Sequence, residues 1–365
     1  MPYRIGLDAR MFRHTGIGTY LRGLVSGFSS AAISQDKRPV LFGTVENAVP
    51  FNAPIYSVRE QLLYPGVVNQ CALWHSPHYN VPFMKGKTKL VVTVHDLIHW
   101  IFRKQFLSPL QQFYAGTMMR RTVKTSDHII AVSRNTKNDL VKHFHADPEK
   151  ITVIYEGVTP EYRELPSDEL DRKFAEIKTK YNLPDDFFLY VGLMKPHKNV
   201  LWLIRLFRKL RLAKKVQSSL VLVGKKDKKY PRGFEELAEF QSTGGILHIP
   251  EIEADELITF YNRAVALVHP SLYEGFGLTV LESMKCGTPV ITSRAASLSE
   301  VAGDAAILVD PIAETEMADA LVKIESDAEL RKTLKAKGLE RVALFDWRET
   351  ARQTSAVYEK VLTEY

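Results

Sequence analysis

The strongest constraint on the fold is a unit that recurs along the chain: a short apolar run, a loop, then a segment with helical periodicity. Leu90 to Val94, inside KLVVTVHD, is almost continuously β-branched. Such a run suits a strand buried on both faces, which a parallel sheet covered by helices provides. RIGLD (4–8), DHIIAVS (127–133) and ITVIY (151–155) repeat the pattern in the first half. FFLYV (187–191), SLVLV (219–223), ALVHP (266–270), PVITS (289–293) and AILVD (306–310) repeat it in the second. Strands alternating with helices imply parallel α/β sheets. The 365 residues exceed a usual domain of about 100–200 residues, so two doubly wound domains are expected. Pro39 to Pro82 reads as irregular, with short strands at VLFGT and Ala72–His75. The charged, proline-bearing stretch from Glu161 to about Pro184 reads as an interdomain connection.

Composition is that of an ordinary globular chain, 45% apolar and 25% charged. No run of about 18 uncharged apolar residues is present, so no membrane span is expected. The start, MPYRIGLDARMF, regains charge at Asp8 and Arg10, too early for the apolar core of a signal peptide, which makes cytoplasm the expected compartment. Cys71 and Cys286 are too few for a disulfide framework or a zinc site. The net charge of +7 favours polyanions, which could be nucleic acid, anionic lipid or phosphorylated substrates. Much of that excess lies between Phe102 and His145, where eight Lys and Arg stand against two Asp. Two readings of this stretch stand: a surface docking on anionic lipid head groups, and a solvated amphipathic helix whose apolar face is core.

The chemistry concentrates in residues 269–289, HPSLYEGFGLTVLESMKCGTP. Glu274 and Glu282 lie eight apart, and Gly275-Phe276-Gly277 opens a helical pattern through Leu278, Val280, Leu281 and Met284. The N–H groups of 275–278 at the positive end of that helix suit a diphosphate, and the two carboxylates suit sugar hydroxyls. In FFLYVGLMKPHKN, Lys198 can neutralise a departing diphosphate without a metal. Gly16-Ile17-Gly18, after the first strand, reads either as a phosphate-presenting turn or as a flexible one. Leu21 stands where a dinucleotide-binding turn has its third glycine. His95 and Asp96 end a strand at the sheet edge where ligands sit; Asp96 also reads as a plain turn or N-cap residue. No His and carboxylate spacing matches a metal site.

EGFGLTVLESMKCGTPVI resembles the Glu-x7-Glu motif of retaining GT-B glycosyltransferases of the family 4, or group 1, type. AVSRNTKNDLVKHF resembles the same family's strand-then-helix signature, and the likeness covers nearly the whole chain, most strongly Val191 to Pro311. It implies two Rossmann-like domains facing each other across a cleft. Residues 1–165, completed by a C-terminal helix over 348–365, would form the acceptor side, and 166–347 the nucleotide-sugar side. The resemblance assigns Glu274 to the donor sugar, Glu282 to the ribose, and the backbone of Gly275, Phe276, Gly277 and Leu278 to the diphosphate. Ile252 would meet the base, Gly16 and Gly18 would face the donor diphosphate and acceptor, and His95 would orient a donor-sugar hydroxyl. The family's Gly-Arg-Leu pattern is broken, because Leu193 stands at the arginine position. Lys195 is the candidate replacement beside Lys198.

The KPHKN loop and GIGTY start are similar to bacterial mannosyltransferases of surface polysaccharides. The implied activity is transfer of a hexose, mannose from GDP-mannose, to a glycan or lipid-linked acceptor. Retention, no metal, no other cofactor and no nucleic-acid partner are expected, and no Asp-x-Asp motif occurs. The resemblance and charge together allow peripheral contact with the inner face of an anionic membrane through 103–145. A UDP-sugar donor, a nucleotide-sugar epimerase and a non-enzymatic basic binding protein remain as alternatives.

Overall fold

A computed structural model describes residues 3–227, 237 and 245–363. The chain divides into two compact units, Met1–Gly157 with Phe345–Tyr365, and Val158–Leu344. The first is built on a sheet of β1 (Tyr3–Asp8), β2 (Val40–Gly43), β3 (Val49–Pro50), β4 (Cys71–Ser76), β5 (Lys89–Val94), β6 (His128–Ala131) and β7 (Ile151–Val153). Its spatial order is β3-β2-β1-β4-β5-β6-β7, and every pairing is parallel. The second unit has β8 (Phe187–Val191), β9 (Ser219–Val223), β10 (Ile246–Ile249), β11 (Ala266–His269), β12 (Val290–Ser293) and β13 (Ile307–Val309). Among the described residues these are ordered β10-β9-β8-β11-β12-β13, again all parallel. Leu90, Val91 and Val92 of β5 are fully buried, as their continuous apolar run requires.

Each sheet winds outward from one strand and then reverses. In the first unit the reversal separates β1 from β4, and in the second it separates β8 from β11. Crossover loops leave in opposite directions at such a point, which opens a crevice beyond the carboxyl ends of the two strands. The fold therefore presets one ligand-accepting crevice per unit.

The unit boundary falls at Gly157, ahead of the 165 read from sequence. Lys285 Nζ donates to the carbonyls of Val158 and Thr159 (3.1 and 2.9 Å), and Asn262 holds Leu165 N and Arg163 O, so this stretch is fastened to the second unit. The expected connection over 161–184 is a correction too. It contains the helix Ser167–Tyr181, which buries Phe174 and Ile177 and ties Tyr181 Oη to Glu256 at 2.7 Å. With two buried side chains in fifteen residues, its apolar stripe is narrow and its charge dominates the sequence pattern. Pro39 to Pro82 likewise holds an unforeseen helix, Val58–Val68, capped by Ser57 and interrupted by Pro65.

The chain returns to the first unit at Phe345, and the terminal helix runs over Trp347–Thr363; 364–365 of the expected helix lie outside the described residues. It packs on the helix Ile17–Ser30 at Gly23 and Gly27, where a Cβ would stand 2.1 Å from the Trp347 ring and the Trp347 carbonyl. Tyr358 Oη lies 2.6 Å from His75 Nδ1 under β4. The last helix is thus part of the first unit's core.

Candidate active site

Lys198 follows β8 and Glu274 follows β11, so the two meet at the switch point of the second sheet. Lys198 Nζ lies 2.8 Å from Glu274 Oε1, and the same oxygen accepts from Ser271 Oγ (2.7 Å) and faces His269 Nε2 (3.1 Å). Glu274 Oε2 has no partner among the described residues. Burial alone would raise the Glu274 pKa, but the charge of Lys198 and the bond from His269 outweigh it and hold the carboxyl well below 4.5. Ser297 Oγ donates to the carbonyls of Glu274 and Phe276 (2.9 and 2.8 Å). With those carbonyls drawn to Ser297, the loop leads into Gly277 at φ +119° and the helix Leu278–Lys285, which no side chain caps. Its first turn therefore carries N–H groups without a side-chain cap, an arrangement suited to phosphate, at the end of the loop that begins with the Lys198 partner Glu274.

Around this pair the loops are tightly built. Gly224, at φ +142°, could not carry a side chain because a Cβ would stand 2.1 Å from the Gly192 carbonyl. Asn199 Nδ2 donates to Pro311 O at 2.7 Å, which anchors the turn bearing Lys198. Lys195 is half-buried at the start of that turn, and its ammonium has no partner among the described residues; Leu193 is exposed. Tyr190, fully buried on β8, has a hydroxyl without a hydrogen-bond partner among the described residues, close enough to Glu274 to feel its charge.

Glu282 sits one turn into the helix, partly buried. Tyr261 Oη donates to it at 3.0 Å and Tyr162 binds it as well, yet burial prevails and its pKa is pushed up to about 7. Ile252 is partly buried beyond β10. His269, Ser271, Ser297, Tyr190, Tyr162 and Tyr261 escaped the sequence reading. His269 and Ser271 flank the end of an apolar run, a signal that was available; the tyrosines come from distant segments and left none.

In the first unit, His95 follows β5. Its Nδ1 lies 2.9 Å from Glu156 Oε1 and its Nε2 3.1 Å from Pro77 O, with Tyr20 edge-on at 4.8 Å. Both ring nitrogens are engaged, so a ligand would have to displace Pro77 O to reach Nε2. Asp96 accepts from Ile98 N at 2.9 Å in a turn. Gly16, exposed at φ +64°, precedes the first helix without a side-chain cap. Gly18 is buried, and a Cβ there would meet the Phe12 and Met11 carbonyls at 2.7 and 2.9 Å, so packing requires glycine at this position.

A cavity of about 780 Å³ opens at the amino-terminal edge of the second sheet, bordered by Asp186, Ser218, Arg263 and Lys335. It contains none of the residues above. Lys335 is paired with Glu164 outside the wall, and Glu325 accepts from the Gln217 and Ser218 N–H groups within it. Among the described residues no group of three His, Cys, Asp or Glu converges as a metal-ligand set.

Residues 171–341 match the family described as glycosyl transferases group 1, and 37–162 match glycosyltransferase family 4. O-antigen chain mannosyltransferase B of Escherichia coli is 27% identical over 298 residues, 79% of this chain and 74% of that protein. O-antigen chain mannosyltransferase RfbU of Salmonella typhimurium is 30% identical over 253 residues, 68% of this chain and 63% of its own length. HepE of Anabaena, solved in complex with UDP and glucose, superposes with a TM-score of 0.76 at 16% identity, over 98% of this chain and 100% of its own. Two parallel-sheet Rossmann-like units, a Glu-x7-Glu helix terminus and these matches lead to one assignment: the chain belongs to the group 1, family 4 glycosyltransferases of the GT-B fold.

Proposed function

We propose that the chain transfers mannose from GDP-mannose to a hydroxyl of a glycan or lipid-linked acceptor, with retention of configuration and without a metal. The observation that supports this most is the Lys198–Glu274 pair beneath the uncapped helix at Leu278. In this reading the diphosphate lies against the N–H groups of 275–278, with Lys198 and Lys195 supplying positive charge. Glu274, held ionised, accepts a sugar hydroxyl on Oε2, and Glu282 accepts the ribose hydroxyls. The bond between the anomeric carbon and the phosphate oxygen breaks while the acceptor oxygen bonds that carbon on the same face. The acceptor proton passes to the departing phosphate, whose growing charge Lys198 and the helix terminus stabilise. Mannose is favoured because two relatives are named mannosyltransferases.

The first unit also carries an exposed apolar and basic face. Leu62, Leu63, Phe83, Met84, Leu110 and Phe113 are exposed there, and Arg120 and Lys124 project from the helix Pro109–Thr125. We assign it to peripheral contact with anionic lipid. No described helix is long and apolar enough to cross a membrane. Sedimentation with phosphatidylglycerol vesicles, lost at high salt, is the expected behaviour.

The test of function is a panel of nucleotide sugars with EDTA present. Release of GDP from GDP-mannose and an α-linked product are expected. UDP release would correct the donor, sugar isomerisation without acceptor would make the chain an epimerase, and activity restored only by Mg or Mn would refute metal independence.

A further inference from the structure

The first sheet has its own switch-point crevice, between the carboxyl ends of β1 and β4. Its walls are aromatic. His78 and Tyr79 follow β4 with ring centroids 4.0 Å apart, and Tyr56 and Tyr114 meet at right angles (6.4 Å, 82°). Tyr56 is 49% exposed and Tyr114 39%.

Tyr56 is held in this position at a conformational cost. Its φ of +64° lies in the left-handed region, unusual for a bulky residue. The fully buried Glu60 accepts from Tyr56 N (2.9 Å) and from Asn80 Nδ2 (2.6 Å), and Asn80 Oδ1 in turn accepts from Tyr114 Oη (3.2 Å). The Tyr56 hydroxyl lies 3.3 Å from each ring nitrogen of His78. One hydroxyl cannot form a directed bond with both nitrogens, so His78 keeps capacity for another partner.

The charges decide the class of ligand. Asp8 and Glu60 are both bound by Arg10 (2.5 and 2.7 Å), and Asp96 acts on Tyr79. This balance disfavours phosphate and favours an uncharged polyol, whose C–H face packs on an aromatic ring while its hydroxyls meet polar edges.

We propose that Tyr56, Tyr114 and His78 form a pyranose subsite that holds the terminal sugar of the acceptor. The subsite rests on the glycosyl-transfer reading for its role in turnover, though not for its ability to bind. Tyr56→Gly is the suited variant, because glycine adopts φ +64° without strain while the ring is lost. Tyr114→Ala removes the second wall, and Tyr114→Phe keeps it. Binding is read by saturation-transfer NMR with methyl mannoside, glucoside and galactoside. Turnover is read as acceptor KM against donor KM.

Tyr56→Gly and Tyr114→Ala are expected to weaken pyranoside binding and raise acceptor KM at least about tenfold, the order of loss when an aromatic anchor is truncated. Donor KM should stay within about twofold, and Tyr114→Phe should bind as the parent does. Pyranoside binding unchanged in folded Tyr56→Gly and Tyr114→Ala overturns the subsite, even if sugar transfer proceeds. Wild-type protein that binds a pyranoside through these residues but transfers nothing leaves the subsite standing and removes the proposed function.

Discussion

Deleting the Lys198 ammonium is the most informative perturbation. At 2.8 Å from Glu274 Oε1, the pair has a gross Coulomb attraction of about 6 kcal/mol at an effective dielectric of ~20. Breaking a buried pair costs about 3–5 kcal/mol when the remaining charge is left bare. Here Ser271 still donates to Glu274, which limits the loss. The expected loss for Lys198→Ala is therefore about 2–3 kcal/mol near pH 8. The sign of its pH dependence follows from Glu274. In the parent its depressed pKa gives stability that is present above 4.5 and is lost as pH falls through the folded value. In the variant, burial raises that pKa, so the deficit shrinks as pH falls from 8 to 4, by at most about 1.4 kcal/mol per pH unit. Adding Glu274→Gln should recover stability to within about 1 kcal/mol, since neither charge then remains. Turnover should stay at least about a hundredfold down in Lys198→Ala, Glu274→Ala and the double variant. Hydrogen exchange of β11 peptides isolates the second unit for the stability measurement. A pH-independent deficit would refute the pairing argument, and near-normal turnover in both single variants would sink the site assignment.

Glu282, with its pKa raised to about 7, should make nucleotide affinity rise with pH up to about 7 and level off above, because the carboxylate accepts from both ribose hydroxyls more strongly than the protonated acid does. Calorimetry of GDP binding from pH 5.5 to 8.5 should show this dependence, and Glu282→Gln should abolish it; a slope that survives the substitution places the titration elsewhere. Tyr190→Phe removes a buried hydroxyl that has no hydrogen-bond partner among the described residues, so the ligand-free protein should be unchanged or more stable by about 1 kcal/mol. If the donor supplies that partner, the variant's thermal shift on adding nucleotide sugar will be smaller than the parent's. An equal shift would exclude contact.

The fold class was legible because its signals are local. A strand buried on both faces is apolar nearly throughout, as Leu90 to Val94 are, and the left-handed backbone that opens the helix at Leu278 needs glycine at Gly277. Elements whose apolar stripe is narrow were misread: Ser167–Tyr181 buries two side chains, and its charges resemble those of a linker. Val58–Val68 was obscured by Pro65. The positions of Lys198 and Glu274 in the candidate site were readable from their own loops.

Which side chains converge is another matter. Glu282 is bound by Tyr261 and Tyr162, and His95 by Glu156 and Pro77 O, over sequence separations that no local pattern encodes. Tyr56 meets Tyr114 only because Glu60 and Asn80, from a helix and a strand end, hold both. The sequence by itself determined the alternation of strands and helices and the two loops that carry Lys198 and Glu274, since both depend on the steric and hydrophobic needs of neighbouring residues. The tertiary structure alone decided charge states, orphaned groups and aromatic walls, because burial and partner distance are properties of the packed chain.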